Sequence, residues 1–155
     1  MLFRSLNFPA NSDERATWIR SIAAKSGAEA SRVDELLSRY GTTAAAILAH
    51  RSDHADSRRI SGAPRHSALE IDWIARQELV VHLSDIVFRR TTLAIEGLLT
   101  MQGLHEIGAI VAASLQWDAQ RLAKEIDDVV AALSKFHGQT LTEESMRRAA
   151  SPAAR

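Results

Sequence analysis

The 155-residue sequence has no cysteine. That excludes disulfides, thiolate zinc sites and cysteine nucleophiles, and it fits a reducing compartment. It has no excess charge of either sign, since 19 lysines and arginines balance 19 aspartates and glutamates. A neutral chain lacks the basic footprint of a nucleic-acid binder and the cationic surface that attaches proteins to acidic membranes. It has no apolar run long enough to span a bilayer, because Asp72, Arg76, Glu78 and Asp85 interrupt the most apolar region. Its start, "MLFRSLNFPANSDER", lacks the apolar core of a signal peptide. The few glycines make neither a dinucleotide-binding fingerprint nor a phosphate-binding loop, and no serine sits in a nucleophile elbow.

What is present reads as helix almost throughout. Ser12 is placed to cap a first helix that buries Trp18, Ile19, Ile22 and Ala23 and stops at Gly27. Ser31 with Asp34 resembles a capping box for a short second helix, with Val33, Leu36, Leu37 and Tyr40 as its stripe and Gly41 as its end. Thr42 or Thr43 starts a third through Ile47 and Leu48. The polar segment 51–67, holding Gly62 and Pro64, reads as a surface loop. Ser67 and Glu70 cap the next helix, which carries Ile71, Ile74 and Val81 on one side with Trp73 and Val80 beside them. Ser84 is placed to cap a short continuation. A further helix runs through Leu104, Ile107, Val111 and Leu115. Asp118 caps the clearest helix, striped by Leu122, Ile126, Val129, Leu133 and Phe136 and closed by Gly138; Thr142 is placed to cap a last turn. The expected fold is all-α: a single compact multi-helix bundle of about six to eight helices with no sheet.

Three features invite a chemical reading. His50 and His54 stand four apart, a metal-ligand spacing, with Asp53 and Asp56 near. They fall where a helix runs out into a polar loop, and no rigid third ligand is evident, so solvated loop histidines are the simpler reading. His82, His105 and His137 are scattered and read as surface or helix-end residues. The stretch "VDELLSRYGTTAAAILAH" has the outline of a helix-turn-helix. Its second helix lacks side chains to read bases or bind phosphate, so a packed helical hairpin is preferred.

The strongest feature is charge in an apolar context. Asp72 and Arg76 are four apart, as are Asp85 and Arg89, each with the acid first, the better order along a helix. Glu70, Glu78 and Arg90 lie around them. A catalytic reading needs a tuned base and a pocket, and the pattern shows neither. A structural ion-pair network of Glu70, Asp72, Arg76, Glu78, Asp85, Arg89 and Arg90 is the expected role, with no catalytic, cofactor-binding or metal-binding residue. If the Asp85–Arg89 pair is buried, losing Arg89 strands the aspartate.

At these residues the chain resembles a known family. "LLSRYGTTAAAIL" at 36–48, "LEIDWIARQELVVHLSDIVFRRTTLAI" at 69–95 and "LQWDAQRLAKEI" at 115–126 are similar, in the same order, to the C-terminal helical domain of FAD-dependent (aerobic) glycerol-3-phosphate dehydrogenases and the related alpha-glycerophosphate oxidases. Glu70, Arg76, Glu78, Asp85, Arg89, Arg90 and Thr91, followed by Trp117, Asp118 and Arg121, carry the likeness. The resemblance implies a linker and leading helix at 1–35, the domain at 36–137, and a C-terminal turn with a frayed tail at 138–155. It implies a parent that oxidises glycerol 3-phosphate to dihydroxyacetone phosphate, with FAD held by a flavin domain and a cap domain that this sequence does not contain. No flavin or substrate residue carries over, so no cofactor is expected in this chain. The implied role is structural: bracing the catalytic body as its partner, with homodimer contacts as a further option, in the cytoplasm or peripheral to the inner membrane through the parent enzyme. Exposed apolar surface on the domain would favour this reading. The alternative is a free-standing helical interaction or regulatory module that has lost the flavoprotein.

Overall fold

A computed structural model describes residues 8–50, 55–138 and 141. The helices gather in two compact units, Met1–Arg51 and Ser52–Arg155, where one bundle was expected. The all-α class stands. Residues 35 and 36 both lie inside the second helix rather than at a break in the chain.

In the first unit, α1 (Ser12–Ser26) lies against α2 (Ala30–Tyr40), and both contact α3 (Ala44–Ala49), which follows a 3-10 turn at Gly41–Thr43. Asn11, not Ser12, caps α1, its side-chain oxygen accepting from the Asp13 and Glu14 N–H groups. Asparagine one position earlier reaches the same orphan donors. No residue of α1 is fully buried; Trp18, Ile19, Ile22 and Ala23 are half-covered. Ser31 does not cap α2, whose N-cap is Glu29 with no side-chain bond. Val33, Leu36, Leu37, Ala44 and Ile47 form this unit's core. Arg15 reaches across from α1 to α2, its Nε donating to Asp34 Oδ1 at 2.8 Å and its Nη2 to Ser38 Oγ at 2.7 Å.

The second unit opens with a small antiparallel hairpin, β1 (Arg59–Ile60) and β2 (Ala63–Ser67), inside the segment expected to be loop. Apolar Ile60 and Ala63 are buried there, which a polar average over the segment conceals. Next come α4 (Ala68–Gln77) and α5 (Leu83–Asp85), the latter continuing into a five-residue π-turn at Ile86–Arg90. Then follow α6 (Leu93–Glu96), α7 (Met101–Leu115) and α8 (Ala119–His137). α4 packs on α7, and α7 on α8. The Ser67 hydroxyl caps α4 by accepting from Glu70 N–H at 3.2 Å. Asp118 caps α8 by accepting from Arg121 N–H at 2.7 Å. Ile71, Ile74, Leu83, Ile86, Leu93, Leu104, Ile107, Val111, Val129 and Leu133 make the core. Phe136, expected to continue the α8 stripe, is exposed.

One contact fixes the hairpin to α7. The Ser61 N–H and hydroxyl both donate to the Glu106 carboxylate, at 3.0 and 2.6 Å. They approach so closely that a Cβ on Gly103 would fall 2.1 Å from the Ser61 carbonyl oxygen. Gly103→Ala is therefore expected to destabilise the second unit by about 1–3 kcal/mol, the usual cost of overpacking. Urea unfolding of the variant beside the parent chain measures it.

Candidate functional site

α4 ends at Gln77, and the chain turns through 78–82 before α5 begins. Leu79 adopts a left-handed backbone, φ 49°. A single left-handed residue reverses the direction of a helix end. It also resets the side-chain register: Val80 becomes buried and Val81 exposed, the opposite of a continuous stripe through Ile71, Ile74 and Val81.

The end of the turn is then tied by side chains from two helices. The Val81 and His82 N–H groups donate to Asp85 Oδ2, at 3.1 and 2.9 Å. This carboxylate, rather than Ser84, organises the start of α5, with His82 as the N-cap. From α8, Glu125 Oε2 accepts the Leu83 N–H at 2.8 Å, and its Oε1 lies 2.9 Å from His82 Nδ1. Glu125 is buried although it sits amid polar neighbours in the sequence. Arg121 Nη2 donates to the Val81 carbonyl at 2.8 Å, and its guanidinium lies 4.6 Å from the centre of the Trp117 ring. Arg121, near the start of α8, thus reaches the turn that Asp85 also holds.

Six of the seven charged residues form three pairs. Arg76 Nε bonds Asp72 Oδ1 at 2.9 Å, with Asp72 buried and Arg76 half exposed. Asp72 also accepts from Ser114 of α7, whose hydroxyl in addition donates to the Ile110 carbonyl at 2.9 Å. Arg90 Nη1 lies 3.3 Å from Glu78 Oε2, tying the π-turn to the end of α4. Arg89 Nη1 lies 3.5 Å from Asp85 Oδ1, but the Arg89 side chain is 77% exposed. The condition of a buried Asp85–Arg89 pair is not met, since the aspartate is largely covered and the arginine is not. The π-turn, closed by Thr91 N–H and Oγ1 donating to the Ile86 carbonyl at 3.1 and 2.7 Å, turns both arginines outward. Glu70 has a different partner. It is fully buried, with Oε1 2.9 Å from Nδ1 of the equally buried His66. His66 Nε2 lies 3.6 Å from Glu96 Oε1. The sequence pattern gave no role to His66 or Glu125; a polar residue surrounded by turn signals or on a charged helix face looks solvated until tertiary packing covers it.

Of the remaining histidines, His105 is exposed and His50 follows the end of α3. His54 and Asp53 lie outside the described residues, as does Thr142. Among the described residues no group of three or more histidine or acidic side chains converges as a metal site. α3 spans six residues, with Ala44 and Ile47 buried, and offers no long reading face to a DNA groove.

Burial alone would raise the Asp85 carboxyl. The His82 and Val81 N–H groups outweigh it and, with the Arg89 and His82 charges, hold it below the usual aspartate range. A lowered folded value means that Asp85 stabilises the fold above its unfolded value, about pH 4, and that this contribution fades as pH falls through the folded value. The stability gap between the parent chain and Asp85→Asn should therefore narrow as the pH is lowered from about 6 to about 3, followed by thermal melts. Exposure also ranks the pairs. Arg89→Ala should cost less than about 1 kcal/mol, as exposed pairs do. Asp72→Ala should cost more, about 1–3 kcal/mol, because the buried Asp72 carboxylate accepts from both Arg76 and Ser114 and those bonds are lost together. Equal losses in denaturant titrations would refute this ranking.

Comparison with known proteins adds a family. The model for the C-terminal domain of alpha-glycerophosphate oxidase matches residues 10–122. Over 143 residues, 86% of this chain, the sequence is 31% identical to proteins named glycerol-3-phosphate dehydrogenase 2 from Mycobacterium bovis and Mycobacterium tuberculosis, covering 24% of their length. It is 30% identical over 112 residues to a Mycobacterium leprae protein named glycerol-3-phosphate dehydrogenase, covering 70% of this chain and 19% of that one. The chain thus spans about a quarter or less of the curated relatives it matches. No solved structure matches.

Proposed function

Because this chain belongs to the family of C-terminal domains of alpha-glycerophosphate oxidase, we propose that it serves as the accessory helical domain of an FAD-dependent glycerol-3-phosphate dehydrogenase. One observation carries the reading: most of this chain aligns with about a quarter of each full-length relative. The remaining three quarters have no counterpart here, and a dehydrogenase needs them for its flavin and substrate.

The residues present do not fit a flavin. Among the described residues, the strands form an antiparallel hairpin of Arg59–Ile60 and Ala63–Ser67. A dinucleotide site needs a parallel strand followed by a glycine-rich turn and a helix, with the pyrophosphate on the helix N-terminus. No step of the oxidation is therefore assigned to this chain. Its charged groups are committed to caps and pairs that hold helices in place, which suits a brace. Large apolar side chains left in the open at Leu79, Val81, Ile95, Leu98 and Phe136 agree with a domain whose partner is elsewhere. No helix among the described residues is long and apolar enough to cross a membrane. Any membrane association of the parent would therefore depend on other parts of that enzyme or on surface contact.

The test is the native polypeptide. An antibody raised against this chain, used on extract of the source cells, should detect a band several times larger than 17.0 kDa, or a 17.0 kDa band that co-purifies with stoichiometric FAD. A 17.0 kDa band free of flavin would overturn the brace and favour an independent interaction module.

A further inference from the structure

Leu79 makes a turn that glycine would make at less cost, and its own side chain gains no packing inside the chain. Its backbone is left-handed, φ 49°, a region that bulky side chains avoid. Its side chain is 89% exposed, so no packing offsets the strain. Val81, two residues on, is 56% exposed. Strained residues persist where the surroundings over-determine them, and they mark places where function sets the geometry.

The backbone just after Leu79 is held by three side chains. Val80 between the two is buried. Asp85 holds the Val81 and His82 N–H groups, Arg121 the Val81 carbonyl, and Glu125 the Leu83 N–H. The apolar pair is thus presented on a fixed backbone. Around it stand partly exposed charges: the Glu78–Arg90 and Asp85–Arg89 pairs, His82 and Arg121. An apolar anchor on a rigid support, rimmed by polar groups, has the anatomy of an interface centre, and little ordering entropy is lost when it binds.

We propose that Leu79 and Val81 are the anchor by which this domain docks on the flavin-bearing body of the parent enzyme. The inference rests on the accessory-domain reading above and adds the surface. The occupant is the catalytic body because the relatives carry about three quarters of their length beyond the part this chain matches. A domain of this size needs a fixed contact with that mass to act as a brace. The body would offer an apolar recess for Leu79, bordered by polar groups facing the rim.

The experiment is site-specific photo-crosslinking in the source cells. The native polypeptide carries a photoreactive amino acid at position 79 or, as control, at exposed position 127 of α8, and crosslinked peptides are identified by mass spectrometry. Position 79 should crosslink to flavoprotein sequence, whether joined to this chain or separate, and position 127 should not. Leu79→Asp should abolish the crosslink from a photoreactive residue at position 81 without lowering the melting temperature of the domain. Leu79→Gly, which removes the strain and the anchor together, should raise the melting temperature while the same crosslink is lost. A crosslink from 79 to a second copy of this chain overturns the proposal in favour of a dimer contact. If flavoprotein is recovered but position 79 stays silent, the anchor falls and the brace stands. If no flavoprotein is recovered at all, both fall.

Discussion

The second unit turns on the burial of one carboxylate. Glu125 leaves water on a helix whose neighbouring positions, Lys124, Asp127 and Asp128, stay in it. Burying an ionised group is costly unless charge-assisted hydrogen bonds replace its hydration. Glu125 receives one from the Leu83 N–H and lies within bonding distance of the His82 ring. Those two bonds require the chain to pass α8 at one point and in one orientation. Once Leu83 and His82 are fixed, Asp85 is in place to accept the Val81 and His82 N–H groups, and α5 can start. The left-handed turn at Leu79 follows, because α4 has to end and reverse within the few residues before that point. A buried acid on one helix thus sets the shape of a loop some forty residues earlier.

The arginines have a different logic from the one their apolar neighbours suggest. In a regular α-helix, residues of "DIVFRRT" at positions 85–91 would place one arginine toward the core side. The π-turn at Ile86–Arg90 widens the helix there, so Ile86 and Val87 stay buried while Arg89 and Arg90 both reach solvent. Such a bulge is an adjustment often found near functional sites. It lets a charged pair follow apolar residues without burying either guanidinium. Arg90 then turns back to Glu78, so the end of α4 and the end of the π-turn are tied at the surface. Glu70 and Asp72 are the buried members of the set, and the partners of Asp72 include a serine of another helix.

These distinctions decide what a reader of the sequence could and could not see. The long helix α8 and its Asp118 cap were legible, because nineteen residues of regular spacing over-determine a helix. So were the Ser67 cap and the Ile71–Ile74 side of α4, which rest on local chemistry. The likeness to a family of helical domains was legible from the order of three charged and aromatic segments. The hairpin was not, since two short strands rich in polar residues average to a loop. Leu79 was not either: glycine or asparagine announces a positive φ, and leucine does not. With that turn hidden, Val80 and Val81 exchange their roles. Glu125 and His66 were invisible for a related reason: burial of a lone polar residue is decided by elements far away in sequence.

The same separation bears on what the domain contributes. Its longer helices follow local rules: α1, α4, α7 and α8 each start on a side-chain cap. The stretch from Leu79 to Arg90 combines three departures: a leucine takes glycine's conformation, a valine is left in water and a helix widens. A chain that needed only to fold could relieve the first of these with a glycine and the second with a polar residue. Keeping both, on a backbone held by Asp85, Arg121 and Glu125, places an apolar shape at a fixed position outside the domain's own core. On the accessory-domain proposal, such a fixed contact would act by constraining the position of the catalytic body and would leave the chemistry to that body.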